Sequence, residues 1–311
     1  MGEKDNMELE YFSNSSRFAD IWNFYMFGGK SVIKSEDLQD ADSVIVYKTA
    51  EKKRQKRIPD KIKLWKGKCL RILIQEYQSS VDYGMVQRNM LTEAVAYNKQ
   101  RQKMRMVHRK KKDLTKSEFN SGINKNDRFI PVVTLVINLS LKEWDAPRCL
   151  YETFEEPVDE IIQKYVTNYR LNVFDYHDYD DFDKFETELR KVFKILKCAN
   201  NREEVDDLLN EDESFKRIDD DTADMIEVLT KIKISYDDEK GEYRDMCKAW
   251  EEQKEYGISI GLEQGIERGI EQGIEQGREA MRKEMDMVLE EKNREIEALK
   301  RQLADQMSTL S

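Results

Sequence analysis

Three residues could do chemistry together in this sequence. Asp60 ends "RIPD", and Glu76 and Gln78 lie two apart in "RILIQEYQ". Side chains alternate across a strand, so Glu76 and Gln78 share one face, with Ile72 and Ile74 behind them. A carboxylate that ends an apolar strand needs a partner: solvent, a cation or a metal. If Asp60 lies on the neighbouring strand or turn, two carboxylates converge with an amide beside them. Such oxygen donors suit Mg²⁺ or Mn²⁺, which keep several waters. The ion can polarise a phosphodiester and lower the pKa of an attacking water. Strand-end acids exposed to solvent are also common, so composition alone leaves the plainer reading open.

The elements that would position these residues are legible around them. "SNSSRFADIWNFYMFGGK" predicts an amphipathic helix over about 16–27, with Asn14, Ser15 and Ser16 as N-cap candidates and Gly28-Gly29 as its stop. "SVIVYK" predicts a short strand and the charged "TAEKKRQKR" a loop. Residues 69–78 predict the strand that carries Glu76. "VQRNMLTEAVAYNKQRQKM" predicts a helix with Met90, Leu91, Ala94, Val95 and Asn98 on one side. "FIPVVTLVINLS" is apolar on both faces, as a covered central strand should be. "LNVFDY" predicts another strand, "FDKFETELRKVFKILKCA" another helix, and residues 200–250 a helical support. This order predicts an α/β sheet with flanking helices.

Hydrophobic residues make up 39% of the 311 residues and charged residues 37%, with a formal net charge of -10. That balance leaves enough apolar residues for one core and requires some solvated helix. The four cysteines, Cys69, Cys149, Cys198 and Cys247, show no CxxC spacing. Reduced thiols in a soluble cytoplasmic protein fit best, with no membrane span. His108 and His177 stand apart, which disfavours a histidine triad or zinc site. The acidic run "DYHDYDDFD" reads as a solvated loop or a cation-binding one, and "KEWDAPR" as a structural turn.

Two basic stretches, 48–71 and 99–116, flank the carboxylate strand. Clustered Lys and Arg bind nucleic-acid backbone without regard to sequence, or form solvated loops. From Gly257 the chain runs "GISIGLEQGIERGIEQGIEQGR", with glycine at 257, 261, 265, 269, 273 and 277. Helix-interior glycine costs about 1 kcal/mol against alanine, so this helix is weak alone. It reads as a linker helix or a self-association surface. Leu289, Ile296, Leu303 and Leu310 then fall seven apart, with Met285, Lys292, Leu299 and Gln306 as the other seam of a coiled coil.

The blocks "RFADIWNFYMFGGKSVIKSEDL", "QEYQSSVDYGMVQRNMLTEAVAY" and "FIPVVTLVINLSLKEWDAPRCLYE", in this order, resemble the Rpn-type recombination-promoting nuclease and transposase-like family of the PD-(D/E)XK nuclease superfamily. The likeness covers most of residues 10–250 and extends to the glycine tetrads. It implies an α-β-β-β-α-β restriction-endonuclease-like core with flanking helices and a C-terminal helical, coiled-coil extension, and a Mg²⁺-dependent DNA endonuclease activity. The domains expected are a flexible N-terminus over 1–12, the nuclease-like domain over 13–250, a tetrad-repeat helix over 251–279 and a coiled coil over 280–311. The C-terminal helix is the expected surface of a homo-oligomer. On this resemblance Asp60, in an R-x-x-D context with Arg57, and Glu76 are the metal ligands. Gln78 takes the place of the superfamily's lysine, and Arg88 and Asn89 match the "RN" that opens the following helix. An amide lacks lysine's charge, so a nearby cation must neutralise the phosphorane, and Arg88 is the candidate; the plainer role is holding a carboxylate. Asp20 on the first helix is either a further metal-site acid or a surface or capping residue. The flanks depart from the family: "PDKIK" stands where relatives tend to read "RDVLK", and "QEYQ" where they read "IENQ". A decayed nuclease fold that binds DNA or oligomerises is therefore the alternative.

Overall fold

The computed structural model describes residues 3–41, 45–48, 54–57, 60–67, 69–234 and 243–308. The chain divides into two units, Met1–Ala249 and Trp250–Ser311. The first is α/β, and the second lies within one long helix.

Helix α1 (Glu3–Ser13) opens the first unit. Residues 1–12 were expected to be flexible, but Tyr11 and Phe12 are buried. Phe12 stacks on Tyr77 at 5.2 Å, and the Tyr11 hydroxyl lies 3.0 Å from Thr222 Oγ1. Two aromatics at the end of a polar helix are enough to dock it. Helix α2 (Ser15–Phe27) follows. Asn14 Oδ1 caps it by accepting from Ser16 and Arg17 amides, and Gly28 ends it in the left-handed conformation at φ 62°. The next glycine, Gly29, has φ 88°, and a Cβ there would lie 2.7 Å from that of Lys184. Asn23 then clamps the returning chain. Its Nδ2 donates to Ile33 O at 2.9 Å, while Oδ1 accepts from Val32 and Ile33 amides at 3.1 and 2.8 Å.

Strand β1 (Leu38–Asp40) precedes a separate antiparallel pair, β2 (Ile45–Lys48) and β3 (Arg54–Arg57). Strands β4 (Lys61–Lys66) and β5 (Leu70–Gln78) come next, then helix α3 (Met85–Lys111) and a single turn α4 (Lys116–Phe119). Strands β6 (Val132–Asn138) and β7 (Val173–Asp175) complete a five-stranded mixed sheet in the order β1-β4-β5-β6-β7. The β1, β4 and β5 pairings are antiparallel, whereas β5–β6 and β6–β7 are parallel. A parallel neighbour needs a crossover, and α3 provides the one between β5 and β6.

Period two sorts the sheet. Leu73, Gln75 and Tyr77 face α1 and α2, where Gln75 Nε2 donates to Phe18 O and Tyr77 meets Phe12. Ile74 faces α3 in a core with Ile62, Val95, Ala96 and Val132. The buried side of α3 runs Met85, Val86, Asn89, Thr92, Val95, Ala96. The expected stripe was rotated: Leu91, Ala94 and Asn98 are exposed, because two polar residues, Asn89 and Thr92, occupy core-facing positions.

Helices α5 (Leu189–Cys198), α6 (Arg202–Glu211) and α7 (Asp220–Thr230) complete the first unit. Phe24, Phe174, Phe185 and Phe193 form the aromatic contact between α2, β7 and α5, with Phe24 and Phe185 stacked at 4.2 Å. Helix α8 (Met246–Ser308) carries the glycine tetrads and the heptad positions up to Gln306 within one helix. Leu303, Gln306 and Leu310 of the expected seam have side chains outside the described residues. Among the described residues no helix is long and apolar enough to cross a membrane.

Asn23→Ala removes one donor and a twice-used acceptor from a buried turn. It should destabilise the first unit by about 2 kcal/mol in urea unfolding, whereas an ornamental contact would leave the midpoint unchanged.

Candidate functional site

The mouth of the β4–β5 pair is where the sequence placed the chemistry. The first registered pair of these strands is Lys61 with Gln75. Asp60 precedes β4 by one residue, so the same antiparallel register sets it across from Glu76. Directly opposed residues share a face. Asp60 is tied there by its Oδ2, which accepts from the Tyr77 amide at 2.8 Å. Arg57 lies in β3, and Pro59, expected to stiffen the approach to Asp60, lies outside the described residues.

Glu76 has no solvent exposure. Its Oε2 lies 3.2 Å from Arg88 Nη2, and Arg88 Nη1 lies 3.0 Å from Asp82 Oδ2. One guanidinium from the first turn of α3 therefore joins the end of β5 to the turn that follows it. Of the two roles open to Arg88, this is the carboxylate-holding one. The Arg88 Nε is buried without an acceptor among the described residues, so these two acids do not fully satisfy the fork. Gln78 is 8% exposed, and its Nε2 donates to the Tyr77 carbonyl at 2.8 Å. That bond leaves Oε1 as the accepting end of the amide.

Beside this trio lies a polar seam under α3. Asn89 Nδ2 donates to the Tyr169 hydroxyl at 2.8 Å, and Glu93 hydrogen-bonds Tyr169 and Thr134. Burial raises the Glu93 carboxyl above its ordinary range and, with Glu93 nearby, raises Tyr169 too. The sequence reading missed Glu93 because it set the helix stripe on Met90, Leu91, Ala94, Val95 and Asn98 rather than on the buried side. The spacing of residues 85, 89, 92 and 96, with polar types counted in, was the signal.

Asp20 belongs elsewhere. Its oxygens accept from the Glu186 amide at 3.1 Å, the Thr187 amide at 2.8 Å and the Thr187 hydroxyl at 2.6 Å. It holds the approach to α5 on the α2 side of the sheet, opposite the face of Glu76. Burial raises its carboxyl. The acidic run around His177 is likewise structural. Asp175 is buried and accepts from Trp144 N, Asn138 Nδ2 and His177. Burial pushes that carboxyl up, but these hydrogen bonds outweigh it and hold the group below its ordinary value. Asp178 and Asp183 pair with Arg148 and Lys194, which leaves the run spread over separate bridges.

The basic stretches divide in the same way. Lys61 and Lys63 both lie 3.0 Å from Asp40 and draw its carboxyl down, Lys63 foremost. The side chains of residues 48–59 lie outside the described residues. In the second stretch Arg101, Lys103, Arg105 and Arg109–Lys112 are exposed. His108 is held between Asp113 at 2.7 Å and Asp127 at 2.9 Å.

Among the described residues no group of three or more His, Cys, Asp or Glu side chains is placed to hold a metal ion. Asp60 and Glu76 are a pair, and Mg²⁺ takes as few as one or two carboxylates when water and phosphate complete the shell. The donors fit the ion in kind, and Arg88 is the charge it would have to share Glu76 with. Comparison of the chain with protein-family models, with curated proteins and with solved structures returns no match.

Arg88→Ala strips a buried carboxylate of a cation and should cost roughly 2 kcal/mol, moderated by the part-exposure of the guanidinium. Adding Glu76→Gln to it should recover most of that loss in chemical denaturation; a fully additive double variant would contradict the pairing. His108 is a second test. Asp113 foremost, with Asp127, raises its pKa against the lowering effect of burial. A raised folded pKa stabilises the protein below the ordinary histidine value, and that contribution fades as pH rises through the folded value. The His108 ring signals should titrate above free histidine by NMR, and Asp127→Asn should shift the midpoint down.

Proposed function

We propose that the chain is a metal-dependent DNA endonuclease of the PD-(D/E)XK type, of the recombination-promoting nuclease kind. The observation that carries this reading is the placement of Asp60, one residue before β4 and bonded to the Tyr77 amide, next to Glu76 in β5. The element order supports it. With the separate β2–β3 pair and the single turn α4 set aside, helix α2, strands β1, β4 and β5, helix α3 and strand β6 run α-β-β-β-α-β, with three antiparallel strands and then a parallel one.

In this reading Asp60 and Glu76 hold Mg²⁺ or Mn²⁺, which when bound supplies Lewis-acid polarisation of the phosphodiester and a more acidic water. Asp60 meets its ligand from a fixed position, because the Tyr77 amide already orients its carboxylate. Gln78 presents Oε1 as the acceptor that orients a water, since its Nε2 is committed to the strand backbone. Arg88 stands within reach of both Glu76 and the turn at Asp82, and turning toward a phosphate would release Glu76.

A second reading, a nuclease fold that binds DNA without cleaving it, is favoured by that same Arg88–Glu76 pair. It neutralises the carboxylate from within the protein and removes the need for an ion.

Calorimetric titration with Mn²⁺ separates the two. The endonuclease reading predicts binding heat that is lost in Asp60→Asn, which keeps the acceptor for Tyr77 N but drops the charge. It also predicts Mg²⁺-dependent nicking of plasmid DNA that falls to background in Glu76→Ala. A flat titration with DNA binding intact supports the second reading.

A further inference from the structure

We infer that the cleft at the C-terminal end of α3 holds an unpaired nucleotide of single-stranded DNA, its phosphates on Arg105, Arg109 and Lys112 and its base on the ring of Phe119. This extends the nucleic-acid part of the reading above and does not depend on the hydrolytic part.

The cleft has a volume of about 680 Å³, and its walls include those three cations, Leu114, Phe119 and Gly122. That is within the usual size of a small-ligand site. Its lining holds those three cations and no carboxylate. The acids of the adjoining segment are each engaged: Asp113 and Asp127 with His108, and Glu118 with the Thr115 hydroxyl and the Thr115 and Lys125 amides. The Lys125 amide foremost holds the Glu118 carboxyl down to about 2. Among the described residues Arg105, Arg109 and Lys112 have no ion-pair partner. In a chain of net charge -10, three such cations around one cleft select an anion.

The apolar wall selects the rest of the ligand. Phe119 is 75% exposed at the end of α4. That turn is braced by Glu118, whose carboxylate accepts from the Thr115 amide and hydroxyl and from the Lys125 amide, so the ring is held out by a bonded support rather than a loose loop. Gly122 has φ 70°, and a Cβ there would lie 2.6 Å from Arg105 Cγ. The backbone thus passes directly against the Arg105 stem in the wall that Phe119 also lines. A flat apolar face with phosphate-binding cations at its edge is the combination that recognises an unpaired base and its backbone. Stacked bases in a duplex do not offer their faces, so the cleft discriminates strand state rather than sequence.

Fluorescence anisotropy tests this with the full-length protein in EDTA, where cleavage plays no part. The probes are a labelled DNA 20-mer, the same sequence as duplex, and the same sequence as RNA. Phe119→Ala should weaken single-strand DNA binding about tenfold, from the stacking of one base. Duplex binding should stay within about twofold, and Phe119→Trp should retain wild-type affinity. Phe119 is exposed, and an unchanged circular dichroism spectrum of the alanine variant keeps the comparison fair. Unchanged affinity in Phe119→Ala, or an equal loss for single strand and duplex, overturns the stacking site. Tighter binding of RNA than DNA overturns the DNA assignment. Equally effective competition by polyglutamate or a free nucleoside monophosphate overturns the strand assignment.

Discussion

A carboxylate with no access to solvent has to be met by a cation or a set of donors, and Glu76 is such a group at the end of an apolar strand. Arg88 meets it from the start of α3. That single contact sets where the helix begins relative to the sheet, and its second arm to Asp82 closes the turn between them. The rest of α3 follows from this start. Val95 and Ala96 come to lie on Ile62 and Ile74, and the crossover delivers β6 parallel to β5. Asp60 is placed by an unrelated device, a backbone amide of the neighbouring strand. A side-chain cation thus meets one acid and a main-chain amide the other.

Strands β2, β5, β6 and β7 and the caps of α2 were legible because their signals are local, whereas β1 and β4 were not read as strands and β3 forms within "TAEKKRQKR", expected to be a loop. The run "RILIQEYQ" alternates correctly, with Glu76 and Gln78 on the Ile74 face, and Asn14 and Gly28 bound α2 as their types predict. Three further features were not legible, each because a tertiary partner decided it. Helix α1 is polar along most of its length and docks through Tyr11 and Phe12 against residues 77 and 222. The stripe of α3 turns on Asn89 and Thr92, whose burial depends on partners such as Tyr169 that lie far away in sequence. Asp20 lies on the expected helix, but its acceptors are taken by residues 186 and 187. No spacing rule could announce a bond across that distance.

Charge in this molecule is sorted by engagement rather than by count. Asp40 takes up Lys61 and Lys63, and the acids of 113–127 are turned onto His108 and local backbone. The cations of the last turns of α3 are left facing solvent. A net charge of -10 therefore coexists with a positive cleft. The candidate carboxylate site and this cleft both depend on α3, one at its start and one at its end.

On the proposed endonuclease reading, Asp60 and Glu76 would together hold one divalent ion. The most direct measurement is a crystal structure grown with Mn²⁺, read by anomalous scattering at the manganese edge. The expected result is a peak beside both carboxylates, with Arg88 drawn back from Glu76 Oε2. No peak between the two carboxylates at saturating Mn²⁺, with the Arg88 contact intact, would contradict it.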